Sequence, residues 1–126
     1  MATGTVLIVD HDSFLVQFMV LALKDQGYTV LTAADEEALA VARMAQPDVI
    51  LLDLGPPTLD GVEVSRLLRD DPETARIPIV AISAPERLRS AAAQMPVNAL
   101  LPKPFHFGDL YAEVARWVHV PQSSLA

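Results

Sequence analysis

At 126 residues, just over half of them apolar, the chain is expected to make one domain with a core of ordinary size and no second domain. It has no cysteine, which excludes disulfides, thiolate catalysis and zinc-thiolate sites. A formal net charge of -7 with no local basic stripe argues against direct nucleic-acid binding, and no apolar run is long enough to span a membrane, so a cytoplasmic location is expected.

Short apolar runs rich in β-formers alternate with longer segments of helical period, the pattern of a parallel sheet covered by helices on both faces. In chain order the pattern predicts a strand at Thr5–Val9, a helix at Ser13–Gln26 capped by Asp12 or Ser13 and stopped by Gly27, a strand at Thr29–Ala33 and a helix at Asp35–Ala45. A strand at Val49–Leu52 and a helix at Val62–Asp70 follow. The remainder reads as a strand at Ile79–Ile82, a helix at Glu86–Gln94, a strand at Ala99–Leu101 and a last helix at Phe107–His119. Residues 1–120 are expected to form the domain and residues 121–126 a flexible tail.

Two helices carry further signals. In "FLVQFMVLAL" hardly any residue is polar. Counting back from Gly27, Leu15, Phe18, Met19, Ala22 and Leu23 are expected to face the core. Val16 and Val20 are then left outward as a surface for a docking partner or for a second copy in a homodimer. The last helix aligns Leu110, Val114 and Trp117 or Val118 as a core stripe, with Phe105 and Phe107 packing the loop before it; His106 and His119 are given no catalytic role.

Right-handed crossovers put the C-terminal ends of all parallel strands on one edge, where ligands bind. The residues at that edge are Asp10, His11 and Asp12 after the first strand, Asp53 after the third, Ser83 and Ala84 after the fourth, and Lys103 after the fifth. Any one could be the polar end of a strand. Together they supply a nucleophile, a cation binder, a hydroxyl and a fixed positive charge, which suits phosphoryl transfer.

The segments "VLIVD", "VILLDLGPPTLDG", "IPIVAISA" and "LLPKPF", in this order and spacing, resemble the receiver domains of two-component response regulators, the CheY-like family, over about Thr5 to Val118. The resemblance implies a flavodoxin-like α/β sandwich of three layers with five parallel strands in the order 2-1-3-4-5. It implies that Asp53 accepts a phosphoryl group from a histidine kinase or phosphotransfer protein, with Ser83 and Lys103 holding phosphoryl oxygens. It further implies a cis Lys103–Pro104 peptide, Mg²⁺ held by Asp10, Asp53 and the carbonyl of Gly55, and output through a downstream protein target. The module's own chemistry is then confined to gaining and losing one phosphoryl group, so it is not expected to be an enzyme in the ordinary sense.

The chain departs from the family in three places. Where two adjacent acids are usual it has Asp10 followed by His11, with Asp12 more suited to capping the helix. His11 reads as a polar replacement in a decayed site, as a soft-metal ligand, or as an imidazolium paired with Asp53. Leu100 stands where a switch aromatic is usual, and the Ser83 to Lys103 interval is shorter than is common, with "MPVN" in place of a Gly-Ala turn.

Two alternatives follow. One is a pseudo-receiver that keeps the fold as a scaffold without phosphorylation. The other is a haloacid-dehalogenase-like phosphatase with Asp10 as nucleophile and Asp12 as acid/base, which Phe14 and the lack of a paired-acid strand after Lys103 speak against.

Asp10, Asp53 and Lys103 sum to -1, against -2 where both acids are present, so Mg²⁺ is expected to bind weakly. If about 3 kcal/mol of the missing attraction survives desolvation, the loss is roughly a hundredfold in affinity. His11→Asp should therefore raise Mg²⁺ affinity at least about tenfold in a titration; an unchanged affinity would refute the charge argument.

Overall fold

The computed structural model describes residues 4–10, 13–54, 60–86, 88 and 96–118. Strands β1 Thr5–Val9, β2 Thr29–Ala33, β3 Val49–Asp53, β4 Ile79–Ser83 and β5 Ala99–Pro102 form one parallel sheet in the order β2-β1-β3-β4-β5. The helices are α1 Ser13–Asp25, α2 Ala38–Ala45, α3 Asp60–Asp70 and α4 Phe107–Val118. This is the expected flavodoxin-like arrangement.

Period two along the central strands divides the core. Leu7, Val9, Ile50, Leu52, Ile79 and Ala81 face α2 and α3, where Ala38, Ala42, Val64 and Leu68 meet them. Val6, Ile8, Val49, Leu51, Val80 and Ile82 face Met19 and Leu23 of α1 and Leu110, Val114 and Trp117 of α4. Because β3 and β4 are buried on both faces, they read as unbroken apolar runs; the edge strands β2 and β5 are only partly covered. No helix among the described residues is long and apolar enough to cross a membrane.

Element ends differ from the sequence expectations in physically readable ways. β3, β4 and β5 each run one residue further, because Asp53 pairs with Ile82 and Ser83 with Pro102 in the ladder. α1 ends at Asp25, and Gly27, at φ 97°, turns the chain so that its own N–H and that of Tyr28 reach back to the carbonyls of Lys24 and Leu23. The helix expected at Asp35 opens as a 3₁₀ turn, Asp35–Glu37, before α2 begins. α3 starts at Asp60, before Val62. Of the helix expected at Glu86–Gln94, Pro85, Glu86 and Leu88 are helical; residues 87 and 89–95, like His119 and residues 121–126, lie outside the described residues.

The facing of α1 is corrected. Met19, Ala22 and Leu23 are buried as expected, but Phe18 is 59% exposed, whereas Val16 and Val20 are partly buried against the core. The outward stripe is Phe14, Phe18 and Leu21.

At the opposite, N-terminal edge of the sheet, the "MPVN" departure has a counterpart in Arg69 of α3. Its Nε donates to the Pro96 carbonyl at 3.0 Å, Nη1 to the Ala75 and Ile77 carbonyls at 2.8 Å each, and Nη2 to Asn98 Oδ1. Asn98 Oδ1 also accepts the Ile79 N–H at 2.9 Å, and the Asn98 N–H donates to the Ile79 carbonyl at 2.8 Å. One guanidinium thus ties α3 to the entrances of β4 and β5. All four acceptors are neutral, and burial pulls the Arg69 guanidinium below its usual range. Asn98→Asp keeps the acceptor and adds a charge partner. After solvent screening it should stabilise by about 0.5–1 kcal/mol, raising Tm by roughly 2–4 °C in thermal melts; a lowered Tm would contradict this account of the clasp.

Candidate functional site

Asp53 closes β3 and is 2% exposed. The ladder pairs Val9 with Leu52, so Asp10 and Asp53 follow neighbouring strands onto the same edge. Lys103, just past β5, sets its Nζ 2.8 Å from Asp53 Oδ2. Its backbone is held as well, since the Lys103 N–H donates to the Ser83 carbonyl at 2.8 Å. The Lys103–Pro104 peptide is cis, as the motif implied. Asp53 Oδ1 is buried and accepts no hydrogen bond among the described residues. Such an atom costs stability where it stands, which marks it as a place where another group belongs.

Ser83 ends β4 and is also 2% exposed. Its hydroxyl donates to the Leu54 carbonyl at 3.1 Å, while the Leu54 N–H donates to the Ile82 carbonyl at 2.9 Å. Sequence reasoning missed Leu54 as the acceptor for Ser83. The available signal was Gly61: a Cβ there would run into Leu54 Cδ2, so glycine lets the first turn of α3 close over this side chain without displacing it. Leu54 is therefore seated by α3 and in turn seats the serine.

Asp10 lies at the end of β1 with its Oδ2 buried. The fold brings Asp10, Asp53, Ser83 and Lys103 to one edge. His11, Asp12, the Gly55 carbonyl and Pro57 lie outside the described residues. The donor set fits a hard cation. Asp53 Oδ1 and the Asp10 carboxylate supply anionic oxygens of the kind Mg²⁺ prefers, and no group of three acids or imidazoles forms among the described residues. Leu100 is 40% exposed on the edge strand, so no ring occupies that position.

A family model described as the response regulator receiver domain matches residues 6–115. The chain belongs to this family. Receivers are signalling modules of two-component systems, working with histidine kinases or phosphotransfer proteins and with target proteins, and are not enzymes in the usual sense. This receiver is 42% identical over 83 residues to the response regulator PleD of Caulobacter vibrioides, spanning 65% of this chain and 18% of PleD. It is 36% identical over 83 residues to the polar-differentiation response regulator DivK of Brucella ovis, spanning 65% of this chain and 68% of DivK.

Among solved structures, the receiver domain of the sensor histidine kinase PA1611 from Pseudomonas aeruginosa, with magnesium coordinated in its active-site cleft, superposes with a TM-score of 0.85 at 29% identity. That match covers 94% of this chain and 100% of the other. The chemotaxis protein CheY4 of Vibrio cholerae superposes at 0.79 with 32% identity, covering 92% and 99%. Membership of the receiver family disfavours the phosphatase reading.

The ion pair yields opposite mutational signs. Asp53→Ala removes a buried carboxylate with one unsatisfied oxygen and leaves Lys103, 28% exposed in its side chain, able to reach water. It should stabilise the fold by about 1–2 kcal/mol. Lys103→Met strands the carboxylate and should destabilise by roughly 2–3 kcal/mol, less than for a fully buried pair. Urea denaturation measures both; shifts of the same sign would contradict the reading.

Proposed function

We propose that this receiver accepts a phosphoryl group on Asp53 from a phosphohistidine of a histidine kinase or phosphotransfer protein, and signals by contact with a downstream protein. The observation that carries the proposal is the buried Asp53 carboxylate, one oxygen held by the Lys103 ammonium and the other without a hydrogen bond among the described residues. Held by one oxygen, the group is oriented while the other remains a nucleophile. Oδ1 forms the new P–O bond as the P–N bond of the donor breaks, and the imidazole leaves with a proton.

The product is an acyl phosphate carrying about -1.5 to -2 charge, most of it on the phosphoryl oxygens. Lys103 can then move from Oδ2 to one of them, and the Ser83 hydroxyl can turn from the Leu54 carbonyl to another. Asp10 and Asp53 would hold Mg²⁺, with Gly55 and the His11 position as further candidates. The ion supplies charge neutralisation at the phosphoryl oxygens. The deficit of one acid makes that binding weak.

A second reading, a pseudo-receiver scaffold, draws on Leu100: with no ring on β5 to exchange positions, the usual aromatic readout has no counterpart here. Incubation with acetyl phosphate at millimolar Mg²⁺, followed by intact mass measurement, distinguishes the two. One adduct of the mass of a single phosphoryl group, absent in Asp53→Ala, is expected; an unmodified chain under conditions that label a control receiver would favour the scaffold.

A further inference from the structure

We propose that two copies of this chain associate through α1, packed antiparallel about a twofold axis close to Phe18. The outward face of α1 carries Phe18 at 59% and Leu21 at 67% exposure, with Phe14 at 76% one turn before them. Their spacing of four and three residues makes one apolar stripe directly opposite the core-facing Met19 and Leu23. Few soluble surfaces place three large apolar side chains in a row on one helix without a use.

The flank of the stripe indicates what covers it. Between α1 and β2 runs a groove whose lower part, about 550 Å³, is lined by Val20, Val30 and Lys24, and whose upper part, about 370 Å³, is lined by Asp10 and Glu37, with Val16 common to both. The groove carries Val16, Gln17 and Thr32 in its middle, is acidic at the end nearest the phosphoryl-acceptor edge and has Lys24 at the other. A twofold axis across α1 reverses the direction of the partner helix. Lys24 lies about 9 Å along the helix from Phe18, so antiparallel packing carries each Lys24 toward the acidic end of the other copy's groove, whereas parallel packing sets like charge on like. A surface that is its own complement when reversed is what an isologous dimer requires.

Area sets the strength. The three exposed side chains offer roughly 400 Å² per copy, and the groove walls add to it, against about 800 Å² per partner in a stable interface. Each copy also carries -7, which opposes approach at long range. The dimer is therefore weak and reversible, with a Kd of micromolar order or above.

Sedimentation equilibrium of the full chain, from low micromolar to millimolar, tests this. A monomer–dimer equilibrium is expected, abolished by Phe18→Lys, whose melting curve should match the parent because the site is exposed. Lys24→Glu and Glu37→Lys should each weaken the dimer roughly fivefold to tenfold, two symmetry-related pairs being lost at once. The double exchange should restore it to within about twofold. A monomer at millimolar concentration overturns the proposal, as does a dimer indifferent to Phe18→Lys or a double variant no tighter than the singles. A monomer in which Phe18→Lys instead slows phosphoryl transfer from a helical donor would assign the stripe to that donor. None of these readouts requires Asp53 to be phosphorylated, so failure here leaves the phosphoryl-acceptor reading intact.

Discussion

The arrangement turns on one contact, the Lys103–Asp53 ion pair, made across two strands at a site nearly closed to water. At 2.8 Å and an effective dielectric of about 20, the attraction is about 6 kcal/mol, while withdrawing each ion from water costs several kcal/mol. The two nearly cancel, so the pair is poor evidence of stabilisation. It holds a carboxylate oriented in a place that would otherwise favour an apolar residue. Because little net energy rests on it, the ammonium can transfer its contact to a new anion at small cost.

The sheet makes the pair possible and also shows where polar satisfaction was relinquished. At the N-terminal edge polar groups are matched: the Asp48 carboxylate accepts the Thr5 N–H, Arg69 and Asn98 bond to the entrances of β4 and β5, and Arg43 joins α2 to Asp71. The hydrogen-bonded Arg43 partner holds the Asp71 carboxyl below its usual range. At the C-terminal edge, within one parallel ladder, a buried oxygen of Asp53 has no donor among the described residues and the Ser83 hydroxyl borrows a backbone carbonyl. A fold that satisfies one edge and leaves the other short is placing its chemistry where the ladder ends.

Much of this was legible in the order of residues. Apolar runs separated by helical segments located all five strands, and a polar residue at the end of four of them located Asp10, Asp53, Ser83 and Lys103 on a common edge. The facing of α1 was not legible, for a physical reason: a helix apolar on nearly every side has no contrast from which to choose an inner face. Packing chose it, with Met19 and Leu23 entering the core and Phe18 left outside. Arg69 was also silent, because its partners are mainly backbone carbonyls from loops distant in sequence, and nothing local announces such a clasp. The expected ends of β3 and β4 were short by one residue because apolar patterning stops where the buried Asp53 and Ser83 begin, although the ladder does not.

Leu100 changes how an event at Asp53 can travel. With no ring on β5 to follow Ser83, a turn of that hydroxyl is felt first by Leu54, whose carbonyl it releases and whose side chain is wedged against Gly61 at the start of α3. On the other side of the sheet, the groove beside α1 reaches Asp10, one strand away from Asp53. A ligand at Asp53 that altered the upper end of that groove would change the affinity of whatever covers α1, and linkage requires the reverse effect to be of equal free energy. Coupling of this kind needs no aromatic switch. It needs only that the acid-rich end of the α1 groove and Asp53 lie on the same edge of the sheet, which the parallel order of β1 and β3 ensures.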